Sequence, residues 1–242
     1  MTVDLILLVL NEIDGLRAVL PQVPREFFNR VMAVDGGSTD GSVEFLQEQG
    51  VEVVNQSRRG RGQAFSLGVA ASTAEAFVFF SPDGNEDPAD LPKMVAFLRD
   101  GADLVIASRM CAGAVNEEDS QLLKPRRWVN NAFNLALNAL FNPRPRAAFV
   151  TDSINGYRGL RRSALPAVEP FPDDYTVEYR MTARALQAGL RVVEFATHER
   201  DRVGGETKVP SLQAGLRFIR ALGEESGAMI ASRMGRRSGR RG

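Results

Sequence analysis

The chain has 242 residues, of which 44% are hydrophobic and 25% charged, the balance of a soluble globular protein with an ample core. Thirty Lys and Arg residues offset thirty Asp and Glu residues, so general electrostatic binding of nucleic acid is not expected. The single cysteine, Cys111, excludes an internal disulfide, and no apolar run approaches the roughly 20 residues that span a bilayer. These features predict a cytoplasmic location.

The first half of the chain alternates short apolar runs with helical patterns. The runs predict strands at residues 3–10, 30–35, 51–54, 76–80 and 103–107, separated by helices near residues 16–20, 43–49, 63–72 and 90–98. Strands that alternate with helices predict an α/β fold with a parallel sheet. Right-handed crossovers place the carboxyl ends of such strands at one edge, where open sheets bind ligands.

The second half of the chain is less regular. Residues 111–123 are polar and acidic and predict a loop, whereas residues 128–141 and 178–187 predict helices and residues 191–196 a strand. No linker rich in Pro or Gly separates the halves, so residues 1–210 are predicted to form one domain. Residues 211–242 predict an amphipathic helix followed by a basic tail, MGRRSGRRG, that is disordered.

Polar side chains follow four of the predicted strands. These segments are Asn11-Glu12, DGGSTDGS at residues 35–42, SPDGNEDP at residues 81–88, and Ser108-Arg109. Each segment alone is compatible with an ordinary turn or a helix cap. Because all four would meet at the same edge of the sheet, together they favour a functional site.

The segment VDGGSTDGS resembles the VDDGSTDGT segment of family 2 glycosyltransferases, which have the GT-A fold. The order of the other motifs agrees: LLVLNE, RRGRGQA, SPDGNEDP, ASR, DSINGYRGLRR and DRVGGETK. The last motif is similar to a signature of dolichol-phosphate mannose synthases and related polyprenyl-phosphate sugar transferases. The resemblance covers roughly residues 3–208. It implies a Rossmann-like mixed sheet, mostly parallel and flanked by helices, that transfers a hexose from a nucleotide sugar with inversion at the anomeric carbon.

The resemblance assigns the nucleoside pocket to the ends of the first two strands. Its residues are Leu10, Asn11, Glu12 and Asp35, with Arg61 beside the nucleotide. A carboxylate that accepts sugar hydroxyls does the same in dinucleotide-binding folds. Two residues depart from the family pattern: Leu8 replaces a common proline, and Gly36 replaces a common second aspartate. The donor base is therefore left open between GDP-hexose and UDP-hexose.

The stretch SPDGNEDP occupies the place of the aspartate-x-aspartate motif of the family. Ser81 replaces the first aspartate, Asp83 matches the second, and Asn85 stands at a position that is glutamine in the synthases. Mg²⁺ or Mn²⁺ needs only one or two carboxylates beside phosphate oxygens and water. Asp83, Asn85 and Ser81 are therefore the predicted metal ligands, and Glu86 and Asp87 are interpreted as solvent-facing turn and capping residues.

A phosphate acceptor needs positive charge more than it needs a base, because its second pKa of about 6 leaves it anionic at neutral pH. By resemblance, the residues that bind the acceptor or the phosphates are Arg109, Arg126, Arg158, Glu178, Arg202 and Lys208. Asp152 is the candidate base if the acceptor is a hydroxyl compound. Asp83, Asp152 and Arg202 form the predicted catalytic set.

Residues 128–141 (WVNNAFNLALNALF) carry asparagines at every fourth position and are otherwise almost entirely apolar. Arginines lie before and after this stretch, which suits a helix at the surface of an anionic membrane. A core helix or a helix at the interface of a homo-oligomer fits the same pattern. Two interpretations of this helix therefore stay open: it binds peripherally to the inner face of the membrane, or it forms a contact between copies of the chain.

The leading hypothesis is a metal-dependent inverting glycosyltransferase that acts on a polyprenyl (dolichyl-type) phosphate. A second hypothesis keeps the chemistry and replaces the acceptor by a glycan or a small hydroxyl compound. A third is a catalytically inactive module that binds nucleotide sugars, since Ser81 and Gly36 replace two family carboxylates. A nucleotidyltransferase is disfavoured, because the first strand is not followed by a Gly-rich loop with a lysine.

Overall fold

A seven-stranded sheet organises the computed structural model of the chain, which describes residues 1–115, 125–142, 149–203 and 211–238. The strands are β1 (Val3–Val9), β2 (Arg30–Asp35), β3 (Glu52–Asn55), β4 (Ala76–Phe80), β5 (Leu104–Ser108), β6 (Arg158–Arg161) and β7 (Val192–Ala196). Their order is β3-β2-β1-β4-β6-β5-β7. Only β6 runs antiparallel to its neighbours in this sheet. The predicted α/β fold with a mixed, mostly parallel sheet is confirmed.

Helices cover both faces of the sheet. They are α1 (Ile13–Val19), α2 (Ser42–Glu48), α3 (Arg61–Ala71), α4 (Leu91–Arg99), α5 (Pro125–Phe141), α6 (Leu165–Val168), α7 (Val177–Ala188) and α8 (Ser211–Ser238). Side chains of α1, α2 and α4 join one apolar cluster, and those of α3 and α5–α8 join the other. Every residue of β1, β4 and β5 is buried, which explains why these strands are apolar without alternation.

Three elements differ from the sequence prediction, and one of them, the short helix α6, is not among the predicted helices. Strand β6 is not among the predicted strands, because its sequence, RGLR, carries two arginines. Helix α8 continues to Ser238, so the predicted disorder of the basic tail is wrong for residues 234–238. The helix begins beyond residue 210 but packs on α5 and α7 through Phe218 and Ala221, and it therefore shares the core of the predicted domain. Among the described residues, no helix is both long and apolar enough to traverse a bilayer.

Candidate active site

The predicted convergence of polar segments is present at one edge of the sheet. The parallel strands β1, β2, β4 and β5 all end at this edge, and the antiparallel β6 begins there at Arg158. The loops that follow these strands carry most of the predicted site residues. We name the parts of this site after the sequence predictions: a nucleotide side at β1 and β2, a central loop after β4, and an acceptor side at β5, β6 and β7.

On the nucleotide side, the Asp35 carboxylate holds the loop that follows β2. It accepts hydrogen bonds from the Gly37 and Ser38 N–H groups at 2.8 and 3.0 Å, and from the Ser38 hydroxyl at 2.5 Å. Asn11 joins this loop to the end of β1, because its N–H donates to Ser38 Oγ at 2.8 Å and its Oδ1 accepts from Thr39 N–H at 2.8 Å. Asp35 and Asn11 are therefore brought together as the sequence predicts.

Gln56 and Leu10 pack beside Gly36, one of the departures from the family pattern. A Cβ at this position would lie 3.1 Å from Gln56 Oε1 and 3.4 Å from the side chain of Leu10. An aspartate would need only the flexible end of Gln56 to shift slightly, so packing does not exclude it. The Glu12 N–H anchors the start of α1 by donating to Ser42 Oγ at 3.0 Å.

The central loop places Asp83 against a segment that is distant in sequence. Asp83 is 6% exposed, and its Oδ2 lies 3.2 Å from Arg202 Nη2. Its main-chain oxygen accepts a hydrogen bond from Val203 N–H at 3.0 Å. Gly84 has φ +88°, and a side chain there would overlap with Val203, so only glycine allows this approach. Two predicted catalytic residues, Asp83 and Arg202, therefore meet.

Glu86 is not the solvent-facing residue that the sequence suggested. It is 8% exposed, and its Oε2 accepts the Ser81 N–H at 2.7 Å, so its carboxyl group folds back to the position that lacks the family aspartate. Burial, reinforced by the nearby charge of Asp83, raises the pKa of Glu86 to about 8. No sequence signal indicates that the Glu86 carboxyl group contacts the Ser81 N–H, because this contact depends on the path of the loop.

Asp87 and Asn85 hold the same loop in place. Asp87 accepts the Ala89 N–H at 3.0 Å and so caps the short helix after it, as expected, and it also pairs with Arg200 at 2.9 Å. The Asn85 amide donates to the Arg200 main-chain oxygen at 2.7 Å. This contact directs Asn85 towards the segment that carries Arg202, and its role as a metal ligand stays a prediction.

The donor set of the central loop fits a hard divalent cation. Within the described residues, no three His, Cys, Asp or Glu side chains form a complete protein cage. Mg²⁺ does not require such a cage, since one or two carboxylates and substrate phosphates usually suffice. Asp83 offers one carboxylate, and the Ser81 hydroxyl and the Asn85 amide oxygen belong to the same loop. These three residues could share a cation with a diphosphate, whereas Glu86, with its raised pKa, accepts the Ser81 N–H instead.

On the acceptor side, Arg109 and Asp152 form a two-pronged ion pair. Arg109 Nε donates to Asp152 Oδ2 at 2.8 Å, Nη2 donates to Oδ1 at 3.0 Å, and Nη1 lies 3.2 Å from Glu199 Oε1. Asp152 is fully buried, and the main chain before it is held by Glu194, which accepts from the Thr151 and Asp152 N–H groups. Asp152 in this arrangement orients Arg109 and is not free to act as a base.

Arg61, which is partly exposed, and the buried Glu178 form a second ion pair between α3 and α7. A side chain at position 156 would overlap with the Arg61 guanidinium, so Gly156 leaves the space through which Arg61 reaches Glu178. The charges of Arg61 and Arg109 partly offset the rise in the pKa of Glu86. The buried Glu178 thus orients Arg61, the first residue of α3, and its predicted contact with an acceptor or phosphate stays a prediction.

Arg158 does not fit its predicted contact with a phosphate. Its side chain is fully buried, and its guanidinium donates to the main-chain oxygens of Ser153, Asn155 and Glu178 and to the Thr182 hydroxyl. Burial lowers the pKa of Arg158 to about 10. The residue ties β6 to α7. Arg126 lies in α5, but its side chain and the whole of Lys208 fall outside the described residues.

Comparison with known proteins shows which family the chain belongs to. The model of glycosyl transferase family 2 matches residues 4–168. An uncharacterized glycosyltransferase of Mycobacterium tuberculosis is 32% identical over 207 residues, covering 86% of this chain and 89% of its own. A dolichyl-phosphate hexose transferase of Haloferax volcanii is 28% identical over 207 residues, covering 85% of each chain.

Among solved structures, the fold is similar to that of glucosyl-3-phosphoglycerate synthase from Mycobacterium tuberculosis, in complex with Mn²⁺, uridine diphosphate and phosphoglyceric acid. The TM-score is 0.72 with 22% sequence identity, and the match covers 93% of this chain and 78% of the other. The family model spans most of the sheet, and the uncharacterized mycobacterial relative aligns with most of the chain. The chain therefore belongs to glycosyl transferase family 2 and is a glycosyltransferase with the GT-A fold.

Proposed function

We propose that this glycosyltransferase moves a hexose from a nucleotide diphosphate sugar to a polyprenyl phosphate, with inversion and with the help of a divalent cation. The observation that carries the proposal is the meeting of Asp83 and Arg202 above the end of β4. It joins a carboxylate suited to a cation and a guanidinium suited to phosphate at the edge where the leaving diphosphate would lie. The similarity to a dolichyl-phosphate hexose transferase supports the acceptor class.

The donor would lie along the loops after β1, β2 and β4. Leu10, Asn11, Glu12 and Asp35 would border the nucleoside, and Arg61 would stand beside the nucleotide at the start of α3. The solved fold neighbour in complex with Mn²⁺ and uridine diphosphate supports a donor of this kind. The base and the hexose are not specified by these residues, and GDP- and UDP-hexoses are both candidates.

Asp83, with Ser81 and Asn85, would hold Mg²⁺ or Mn²⁺, which when bound would neutralise the charge of the departing diphosphate. Arg202 is 37% exposed in its side chain and pairs with Asp83. When a diphosphate is present, Arg202 can exchange this carboxylate for a phosphate oxygen. The transition state resembles an oxocarbenium ion, so positioning and electrostatic stabilisation supply most of the rate enhancement.

The acceptor side favours a phosphate over a hydroxyl group. A hydroxyl acceptor needs a general base, but Asp152 is fully buried and both its oxygens accept from Arg109. A phosphate monoester is already anionic at neutral pH and needs no base. It would attack the anomeric carbon on the face opposite the leaving diphosphate. Arg109, oriented by Asp152 and Glu199, would offer its remaining N–H donors to the phosphate.

The test is transfer of labelled sugar from GDP- and UDP-hexoses to purified polyprenyl phosphate in detergent, with Mg²⁺ or Mn²⁺. We expect an acid-labile lipid-linked product that is lost in Asp83→Asn. Transfer only to soluble glycans or small hydroxyl compounds would rule out the lipid acceptor. Nucleotide binding without transfer or donor hydrolysis would instead identify an inactive binding module.

A further inference from the structure

The outward face of α5 is largely apolar, whereas a helix on the surface of a water-soluble protein usually exposes a polar face. Two of its asparagines, Asn134 (2% exposed) and Asn138, are buried beside apolar core residues of the same helix. Large apolar side chains point outward: Trp128 is 61% exposed and Leu135 is 62% exposed. The other exposed residues of the described helix are Val129, Asn131, Ala132, Ala139 and Leu140. An outward face with this composition is what a helix shows when something apolar covers it.

The inward asparagines are fully engaged with the segment that carries Asp152. Asn138 donates to the Val150 main-chain oxygen at 2.8 Å and accepts the Val150 N–H at 3.0 Å. Asn134 accepts the Ser153 N–H at 3.0 Å and the Ser153 hydroxyl at 2.6 Å, and it donates to the Thr151 main-chain oxygen. The polar groups of α5 therefore serve the acceptor side, and the helix cannot turn them to solvent without losing these bonds.

The sequence in and around α5 is locally basic. From Ser120 to Thr151 the sequence has no Asp or Glu and has five basic residues, Lys124, Arg126, Arg127, Arg144 and Arg146, although the whole chain is neutral. Helix α8, which contacts α5 through Phe133 and Phe218, adds the exposed Leu216 and Ile219 beside the exposed Arg217. The apolar face thus belongs to a basic part of the chain.

We propose that the outward face of α5 docks on a bilayer that contains anionic lipids, with the helix lying in the interface. Apolar side chains suit the acyl boundary, a tryptophan suits the headgroup level, and the basic residues suit anionic headgroups. A second copy of the chain fits less well, because a two-fold contact through this face would bring two basic regions together.

A bilayer docked on α5 would lie next to the acceptor side of the site. The segment 150–153 is bonded to the inner side of α5, so only about the 10 Å diameter of one helix separates it from the docked face. A headgroup phosphate at the membrane surface would therefore lie about one helix diameter from the segment that carries Asp152, the partner of Arg109. This delivery of the acceptor rests on the proposed function, whereas the docking itself does not.

The docking can be measured directly, because Trp128 is the only tryptophan of the chain. The full-length protein is mixed, without nucleotide or acceptor, with vesicles of phosphatidylcholine alone or with added phosphatidylglycerol. We expect Trp128 emission to shift to the blue, and brominated lipids to quench it, with the anionic vesicles. Co-sedimentation with these vesicles should weaken as salt is raised.

A matched pair of variants tests the face. Leu135→Glu places a charge on the docked face and should weaken vesicle binding by at least about tenfold, because a leucine that leaves water for the bilayer is replaced by a charged group that stays hydrated. Gln47→Glu adds the same charge at an exposed position of α2 and should leave vesicle binding unchanged. Circular dichroism tests whether both variants are folded. If a variant is not folded, the quenching of Trp128 in the wild-type protein still tests the docking.

Two results would overturn the docking. One is unchanged and unquenched Trp128 emission with anionic vesicles. The other is a blue shift that grows with protein concentration in the absence of vesicles, together with a dimer mass by light scattering, which would make the face a contact between copies. Failure of the docking is distinguishable from failure of the proposed function: transfer to polyprenyl phosphate in detergent without vesicle binding leaves the function standing, and vesicle binding without transfer leaves the docking standing.

Discussion

The nucleotide side and the acceptor side of the site are stabilised in different ways. On the nucleotide side, Asp35 and Asn11 bind main-chain N–H groups of one nearby loop. On the acceptor side, Arg109 is held by Asp152 and Glu199, which come from distant parts of the chain. The first region is organised by local hydrogen bonds and the second by buried charges that must meet, so the two should respond differently to substitution.

The largest expected effect is on the acceptor side. Asp152→Ala leaves the Arg109 guanidinium without its main partner, and removing one member of a buried ion pair costs about 3–5 kcal/mol of unfolding free energy. Urea denaturation measures this loss. The matched control, Arg109→Met combined with Asp152→Leu, should recover part of the stability, since Glu199 then loses its contact with Arg109, and none of the transfer activity. A stable Asp152→Ala protein would contradict the view that paired charges hold this side together.

Between the two regions, Asp83 should govern activity more than stability. Asp83→Asn keeps the size of the side chain but removes the charge that would hold the cation, and we expect kcat/KM to fall by about a hundredfold or more. Gln47→Glu, an exposed change on α2, is the control that should leave kcat/KM unchanged. Unchanged kcat/KM in Asp83→Asn would exclude the cation from this loop.

The central loop should also show a dependence of stability on pH. Because the pKa of Glu86 is raised to about 8, the folded protein holds a proton there that the unfolded chain releases near its ordinary value of 4.5. Stability should therefore fall as the pH rises from about 4.5 to about 8, by up to ~1.4 kcal/mol for each unit of pKa difference. Glu86→Gln should flatten this slope in urea denaturation without metal, and an unaltered slope would assign it to another group.

The smallest expected effect is at Ser81. Ser81→Asp restores the carboxylate that the family commonly has, and we expect the affinity for Mn²⁺ without nucleotide to rise by about tenfold. A Mn²⁺ titration followed by thermal shift measures this change. Ser81→Ala is the matched control and should not gain affinity. If Ser81→Asp gains none either, Glu86 already occupies the space beside Ser81 and excludes a second ligand.

The nucleotide side is the more predictable region. The motifs NE and DGGSTDGS lie next to strands whose apolar runs are unbroken, so the parallel sheet alone brings them together. The pairing of Asp83 with Arg202 is not predictable in this way, although both residues stand out in the sequence. The burial of Arg158 is not predictable either. Its guanidinium donates to main-chain oxygens, so no acidic residue in the sequence indicates that this arginine is buried.

Apolar periodicity and short motifs are local properties of the chain, so they are enough to predict the fold class, the edge of the sheet that carries the site, and the family. Three features follow only from the folded structure: Glu86 turns back to Ser81, Asp152 binds Arg109, and α5 buries Asn134 and Asn138. Each of these outcomes depends on which groups from distant segments satisfy a buried charge or a main-chain hydrogen bond, and sequence spacing does not encode that choice.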